Sequence, residues 1–458
     1  MSVPIRRRSV AIVGGVAAAL LLAACGSSDT GTTPSATNTD PACADYATYG
    51  SYPSGTKVTL FTSILPPEQQ LFEQSWKQFE TCTGIDVVYE GSNQFEAQLP
   101  TRVAGGNAPD LAFIPQPGLL QKMVNLPNTT AVEAPQPVVD NINKYWNPSI
   151  SDYGKVDGKL YGAPLSTNMK SLVWYSPSLF KAKGYTVPTT WDELFALSDK
   201  MVADGVKPWC GGIGSGGATG WPATDWLEQI MLRKFGGDVY NQWVAHTVKF
   251  DSPQVNEAMG ILDKWMRNPA YVNAGFGDVK TIATTKFQDA GKPIIVGQKC
   301  GMLQQASFYA NQWVTFKPDV KIAEDGDVYA FFLPGMDPSI KTPIVGGGET
   351  VLAFASRPEV VSFQTFLSSP TFATNKVKLG TWVSANNGVP QSAYTDPISA
   401  LSAKLLADKD ATFRFDASDL MPAAVGAGAE WTQMTAWFGE GKSTSDVLKA
   451  IDAAWPAS

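Results

Sequence analysis

Histidine is almost missing from this chain: His246 is the only one in 458 residues. A Ser–His–Asp or Cys–His centre would have to use it. Its surroundings, Tyr240 to Phe250 (YNQWVAHTVKF), hold no nucleophile motif, so a surface role is expected. The 5 cysteines contain no C-x-x-C pair, and with one histidine this leaves little to hold a transition metal. Basic charge is also short, 35 Lys and Arg against 42 Asp and Glu. Setting aside Arg6, Arg7 and Arg8 of the leader takes the net balance from −7 to −10, which argues against a nucleic-acid partner. No apolar run after residue 24 approaches the roughly 20 residues of a spanning helix. Nor is there an internal repeat of solenoid type. Gly212, Gly214 and Gly217 formally fit G-x-G-x-x-G, but no apolar strand precedes them and Trp221-Pro222 follows. No cofactor or metal is expected.

What is present begins with an export signal. Arg6-Arg7-Arg8 precede an uncharged stretch from Val10 to Ala24 of about fifteen apolar and small residues, a secretory leader rather than a domain. It ends in Leu22-Ala23-Ala24-Cys25 followed by Gly26-Ser27-Ser28, which resembles the lipobox of bacterial lipoproteins. That resemblance implies a diacylated Cys25 as the new N-terminus, anchored to the outer face of the cell membrane; the alternative is an ordinary signal peptide with a cysteine at that place. Gly26 to Pro41 is rich in Ser, Thr, Gly and Pro and reads as a flexible leash. Residues 1–24 are thus the signal, and 25–56 the tether and the start of the fold. Four cysteines remain, an even number in an exported chain, which suggests two disulfides. Three pairings are open. Cys43 with Cys82 and Cys210 with Cys300 is favoured because each bridge then stays within one region.

Without the 24-residue leader, 434 residues remain, too many for one ordinary core, so two lobes are expected. Lys57 to Ser63 alternates like a strand, and Pro67 to Glu80 carries Leu71, Phe72, Trp76 and Phe79 at helical spacing. Ile85 to Tyr89, Gln94 to Val103 (with Pro100 as a kink) and Asp110 to Ile114 repeat the alternation, which predicts a mainly parallel sheet covered by helices. Val187 to Met201 is a well-signalled helix: Thr190 caps it and Glu193 reaches back. Further helices are expected at 252–267, 281–289, 358–367, 422–438 and 443–455. Fourteen tryptophans exceed what a core of this size needs, so some are expected to line a ligand site.

Several strings, in order, resemble the family 1 extracellular sugar-binding proteins of ABC importers. They are Gly106-Asn107-Ala108-Pro109-Asp110, Tyr161-Gly162-Ala163-Pro164, Pro188 to Leu194 (PTTWDEL), Gly346-Gly347-Gly348-Glu349, and Met421-Pro422 opening a helix with Trp431. Gly220 to Trp226 (GWPATDW), Gln304 to Tyr309 (QQASFY) and Arg414-Phe415-Asp416 are similar to the alpha-glucoside-binding branch. The resemblance implies an α/β fold of two lobes, each a mostly parallel sheet flanked by helices, joined by crossing segments. These are expected near Leu165 to Asn168, Ala330 to Pro334 and Leu367 to Pro370. The N-lobe would comprise 57–165 plus 334–366, and the C-lobe 168–330 plus 370–458. It further implies a monomer that binds a small sugar and passes it to permease subunits, without enzymatic activity.

A sugar needs flat apolar surface for its ring faces and charged or amide groups for its hydroxyls. Trp221, Asp225 and Trp226 are the first candidates, since they follow the glycine-rich Gly211 to Gly220; the plainer reading is a helix from Pro222 with Trp226 packed inward. Glu349, after three glycines, either accepts ligand hydroxyls or is a surface carboxylate beside a turn. By family position, Gln116, Asn168 and Gln305 are also candidates, each with a structural alternative. Trp382 is a further one, although Gly380-Thr381-Trp382-Val383-Ser384-Ala385 departs from the turn relatives show there. Trp431 matches a stacking aromatic of the maltodextrin-binding relatives, and Asp419 either contacts ligand or caps the following helix. The main rival reading is a lipid-anchored glycoside hydrolase, which needs two carboxylates flanking a scissile bond; no motif marks such a pair.

Overall fold

Apolar residues on successive strand positions divide between opposite faces, and this alternation builds the first lobe. The computed structural model describes residues 40–456 except 274, 275, 407 and 409, so the leader, Cys25 and the leash up to residue 39 lie outside the described residues. The first sheet has the order Ile85–Gly91, Thr56–Thr62, Leu111–Ile114, Thr350–Ala353, Gly162–Pro164. The first three strands run parallel, while Thr350–Ala353 enters against both its neighbours. Leu60, Leu111, Phe113 and Val351 face one core; Phe61, Ala112, Ile114 and Leu352 face another on the opposite side. A sheet covered on both faces therefore reads as near-continuous apolar strands.

The second lobe repeats this with a mixed sheet, Tyr329–Phe332, Leu172–Tyr175, Cys300–Gln304, Lys207–Trp209, in which only the last pair is parallel. A three-stranded sheet adjoins it: Thr412–Phe415, Pro343–Gly347 and Asn168–Met169. Val173, Tyr175, Met302 and Phe331 face one core, and Leu172, Trp174, Leu303 and Ala330 the other. The helix Trp191–Ala203 starts as the sequence requires: Thr190 Oγ1 accepts the Glu193 amide at 3.2 Å and Glu193 Oε2 accepts the Thr190 amide at 3.3 Å. His246 stacks on Trp455 with ring centroids 3.8 Å apart, and its Nε2 lies 2.8 Å from Asp452 Oδ1, so it ties down the last helix.

Four expectations about organisation need correction. The crossing expected at Ala330 to Pro334 falls at Gly348–Glu349, because Tyr329–Phe332 and Pro343–Gly347 both pair with strands of the second lobe. The crossing expected at Leu367 to Pro370 lies after Ala393: Phe372, Val377, Trp382, Val389 and Ala393 pack in the first lobe's core, and Ile398 in the second's. Residues 334–347 thus pack with the C-lobe and 370–393 with the N-lobe. The helix expected over 281–289 breaks into Thr281–Thr284 and the short turn Phe287–Asp289, and that over 422–438 into a π-helical turn Val425–Glu430 and Trp431–Gly439.

Cys43 joins Cys82 and Cys210 joins Cys300, with Cα atoms 5.3 and 5.9 Å apart. The first bridge fastens the turn Pro41–Tyr49, whose Cys43, Tyr46 and Tyr49 are buried in the first lobe's core. It closes a loop with a separation of 39 residues, for which chain entropy supplies about 3–4 kcal/mol. The Cys43→Ala/Cys82→Ala variant is therefore expected to lose about 3–4 kcal/mol of unfolding free energy in urea titration; an unchanged midpoint would show that the turn is held by packing alone.

Candidate functional site

A cleft of about 470 Å³ lies between the lobes, lined by Ser63 to Leu65, Asn93, Glu96 and Gln116 from the first lobe. Gly214 to Gly216, Trp221, Lys286 to Asp289, Phe308, Asp419 and Trp431 line it from the second. Asn168, Lys170, Gly348 and Glu349, in or beside the crossings, form its floor. Asn93 and Gln116 follow directly on the C-terminal ends of parallel strands, where ligand groups converge in open α/β sheets.

Six of the ten expected residues meet in this cleft: Gln116, Asn168, Trp221, Glu349, Asp419 and Trp431. Trp221 opens a helical stretch, Trp221–Val244, and its ring packs edge-on against Phe287, with centroids 5.0 Å apart. Gly220 has φ 117°, and a Cβ there would sit 2.3 Å from the Trp431 carbonyl oxygen; only glycine lets the two tryptophans approach. Trp431 is 2% exposed and its Nε1 donates to Ser418 Oγ at 3.3 Å. Gln116, 5% exposed, donates from Nε2 to Glu96 at 3.3 Å, while its buried Oε1 has no partner among the described residues. Glu349 receives the Ser166 hydroxyl on its carboxylate and donates its amide to the same Oγ at 3.0 Å, so the two crossings are bonded to each other at the cleft floor. Asp419 does not cap the helical turn that follows, Val425–Glu430, whose N-cap is Ala424; it lies in the short helix Ala417–Leu420, where its amide donates to the capping Asp416 Oδ1 at 2.8 Å.

The other four lie outside the cleft, each for a packing reason. Asp225 is buried and ion-paired with Lys170 at 2.9 Å. Trp226 points inward against Phe438, which is the plainer reading of that helix. Gln305 spends its Oε1 on the Ala306 amide and its carbonyl on Trp174 Nε1, shaping a turn. Trp382 lies in the first lobe's core, edge-on to Phe72 and Phe372 and beneath the Lys376 ammonium. Sequence reasoning missed Glu68, Asn93, Glu96, Lys170, Lys286 and Phe308. Asn93 and Glu96 had a signal, since they follow the strand at 85–91; Lys170 had only its isolation as a cation between two apolar strands.

Charge is concentrated at the base of the second-lobe wall. Lys170 Nζ lies 2.9 Å from Asp225 Oδ1, donates also to Asp416 Oδ2, and sits 5.1 Å from the Trp221 ring centroid. Asp225, Glu228 and Asp416 have carboxylate oxygens within 4.8 Å of one another, a set that can hold a cation, and the Lys170 ammonium is already bonded to two of them. Burial alone would lower Lys170, but the surrounding Asp225, Asp416, Asp419 and Glu228 hold it well above the usual lysine range. Burial would raise Asp416, yet Lys170 and the hydrogen bonds it receives keep it at about 2. Burial pushes Asp225, Glu228 and Asp419 up. On the first-lobe wall, burial raises Glu68 to about 7, with Lys376 opposing and Glu349 adding to the rise.

The lobes also touch directly beside the cleft. The Gly217 amide donates to the Asn93 carbonyl at 2.8 Å. A Cβ at Gly216, whose φ is +60°, would lie 2.4 Å from that same oxygen. The glycine-rich loop thus closes one side of the cleft with backbone rather than side chains.

Comparison with known proteins agrees with this architecture. The family described as "Bacterial extracellular solute-binding protein" matches residues 63–374. The chain is 35% identical over 405 residues to the "Osmoprotective compounds-binding protein GgtB" of Synechocystis sp., covering 87% of this chain and 92% of that protein. It is 35% identical over 411 residues to the "Alpha-glucosides-binding periplasmic protein AglE" of Rhizobium meliloti, covering 88% and 87%. Among solved structures, the fold is similar to the bacterial solute receptor AcbH, with TM-score 0.73, 20% identity, and coverage of 87% of this chain and 98% of that one. RafE in complex with raffinose is similar at TM-score 0.67 and 18% identity, covering 87% and 98%.

The raised Glu68 has a stability consequence of definite sign. A carboxyl whose folded value is raised stabilises the fold fully below its ordinary 4.5, and that contribution is lost as pH rises through about 7. The Glu68→Gln variant should therefore flatten the decline of melting temperature between pH 4.5 and about 7 relative to the parent. A slope equal to the parent's would show that Glu68 titrates as a solvated carboxylate.

Proposed function

This chain belongs to the bacterial extracellular solute-binding protein family, and on that premise we propose that it captures a small saccharide, an alpha-glucoside or a similar oligosaccharide, and delivers it to an ABC permease. The observation that carries the reading is the pairing of unlike walls: Trp221, Trp431 and Phe308 on one side, Gln116, Glu68, Glu96 and Glu349 on the other. Indole faces cover the C–H faces of a pyranose, and carboxylates and amides accept its hydroxyls. The unpartnered Gln116 Oε1 suits a ligand hydroxyl, since a buried acceptor left unpaired costs about 1–3 kcal/mol. A cleft of about 470 Å³ is within the size range of small-molecule sites. The name of one relative points the same way, since it binds alpha-glucosides.

Binding works by closure. An open form exposes both walls, and a ligand that touches both favours the closed form by its additional contacts. No bond is broken. The leader, Cys25 and the leash support a lipid anchor on the outer membrane face, with the folded part acting as a tethered monomer.

Two outcomes are expected. Purified protein titrated with maltose, sucrose and trehalose should change its tryptophan fluorescence with at least one of them, and Trp221→Ala and Trp431→Ala should each weaken that binding about tenfold or more, near 1.4 kcal/mol. Silence across an alpha-glucoside panel, or release of glucose from any of the three sugars, would contradict the reading, the latter in favour of a hydrolase. In cells, Cys25→Ser should move the protein from the membrane fraction to the soluble extracytoplasmic fraction; retention in the membrane fraction would exclude the lipid anchor.

A further inference from the structure

The cation at the base of the cleft is a lysine with two occupied arms. Lys170 follows the strand Asn168–Met169, directly after the first crossing, and is 6% exposed. Its carbonyl accepts the side-chain amides of Gln229 at 3.1 Å and Gln304 at 2.6 Å, so its backbone is held from two elements. One arm runs from Nζ to Asp225, four residues along the helix that Trp221 opens, while the same ammonium lies over the Trp221 ring. The other arm runs to Asp416, whose second oxygen accepts the Asp419 amide and the Ser418 hydroxyl, both at 2.8 Å. Ser418 Oγ in turn accepts the Trp431 indole N–H at 3.3 Å and the Thr224 hydroxyl at 3.2 Å. Two hydrogen bonds or fewer beyond its own carboxylate partners, the chain of contacts reaches Trp221, Asp419 and Trp431, all of which line the cleft.

We propose that Lys170 is the positioning residue of this cleft: one buried ammonium fixes the orientation of both stacking tryptophans and of Asp419 before any ligand arrives. The claim rests on the saccharide reading only for its effect on affinity; the placement of the rings is a property of the ligand-free protein. A buried ion pair contributes little net stability, because desolvation offsets the attraction, but it defines geometry wherever breaking it would strand a charge. Ionic partners in a dry site also hold position more tightly than apolar contacts, which tolerate sliding. Lys170 thus acts through the groups it binds, and the tryptophans supply the contact surface.

The test uses protein labelled with 5-fluorotryptophan, with fluorine resonances assigned through Trp221→Phe, Trp431→Phe and Trp76→Phe. In the absence of sugar, Lys170→Met should shift or broaden the Trp221 and Trp431 resonances and leave that of Trp76, buried in the first lobe's core, in place. Trp221 and Trp431 resonances identical to the parent's would overturn the proposal. Should Lys170→Met disturb Trp76 as well, Asp416→Asn decides, because it weakens the ionic arm from Lys170 while leaving Ser418 in contact with Trp431: a shift of Trp431 supports the proposal, and an unmoved Trp431 overturns it. In the binding arm, Lys170→Met should weaken whichever of maltose, sucrose or trehalose the parent binds by about tenfold or more, with Lys170→Arg recovering part of the loss; equal affinity would overturn the proposal. A parent that binds none of the three contradicts the saccharide reading and leaves the fluorine result to stand by itself.

Discussion

Burying one ammonium beneath a cleft constrains everything around it. Moving an unpaired lysine out of water costs several kcal/mol, so the position of Lys170 demands carboxylates, and those carboxylates demand neighbours of their own. Asp416 answers by capping the helix Ala417–Leu420, and Glu228 by accepting the Ser418 amide at 3.1 Å and the Tyr240 hydroxyl at 3.0 Å. The second-lobe wall is organised outward from that charge, and its aromatic face is carried on the groups that neutralise it. Four acidic groups surround one lysine: burial, with their mutual repulsion added, raises Asp225, Glu228 and Asp419, while Lys170 keeps Asp416 low.

The opposite wall is built differently. Glu68 and Glu349 face the cleft with Lys376 behind them, an ammonium buried over the rings of Phe72 at 4.6 Å and Trp382 at 5.4 Å. Burial holds Lys376 down at about 8, so its charge and that of Glu68 respond to each other near neutral pH. Glu349 belongs both to this wall and to a crossing segment, where Ser166 of the other crossing binds it. On the proposed closure, a ligand that meets Glu349 would touch a segment joining the lobes, giving closure a direct mechanical route.

Much of this was legible in residues. The capping box at Thr190 and Glu193 and the strand starting near Lys57 follow from local rules that tertiary packing had no reason to override; of three open cysteine pairings, the one that keeps each bridge within one region is the one formed. Six candidates line the cleft: a glycine-rich stretch pointed to Trp221 and Glu349, the family resemblance to Gln116, Asn168 and Trp431, and its place before a helix to Asp419. Asp225, Trp226, Gln305 and Trp382 failed for a shared reason: an aromatic or polar residue in a ligand-like string looks the same whether its side chain turns inward or outward, and only packing decides. Lys170 was invisible because a lone lysine between apolar strands signals nothing until Asp225 and Asp416, 55 and 246 residues away, are brought to it. The crossing expected at Ala330 to Pro334 was displaced because nothing local shows that Pro343–Gly347 pairs with Thr412–Phe415 and Asn168–Met169 of the second lobe while Thr350–Ala353 pairs in the first.

On the proposed function, two lobes clamp a saccharide between an aromatic wall and a carboxylate wall. Small-angle X-ray scattering of the leaderless protein, titrated with maltose, sucrose and trehalose, tests it most directly. One of these sugars is expected to reduce the radius of gyration in a saturable manner, with the same midpoint as its tryptophan fluorescence response. A sugar that binds without changing the radius of gyration, or a scattering profile indifferent to every sugar, would contradict it.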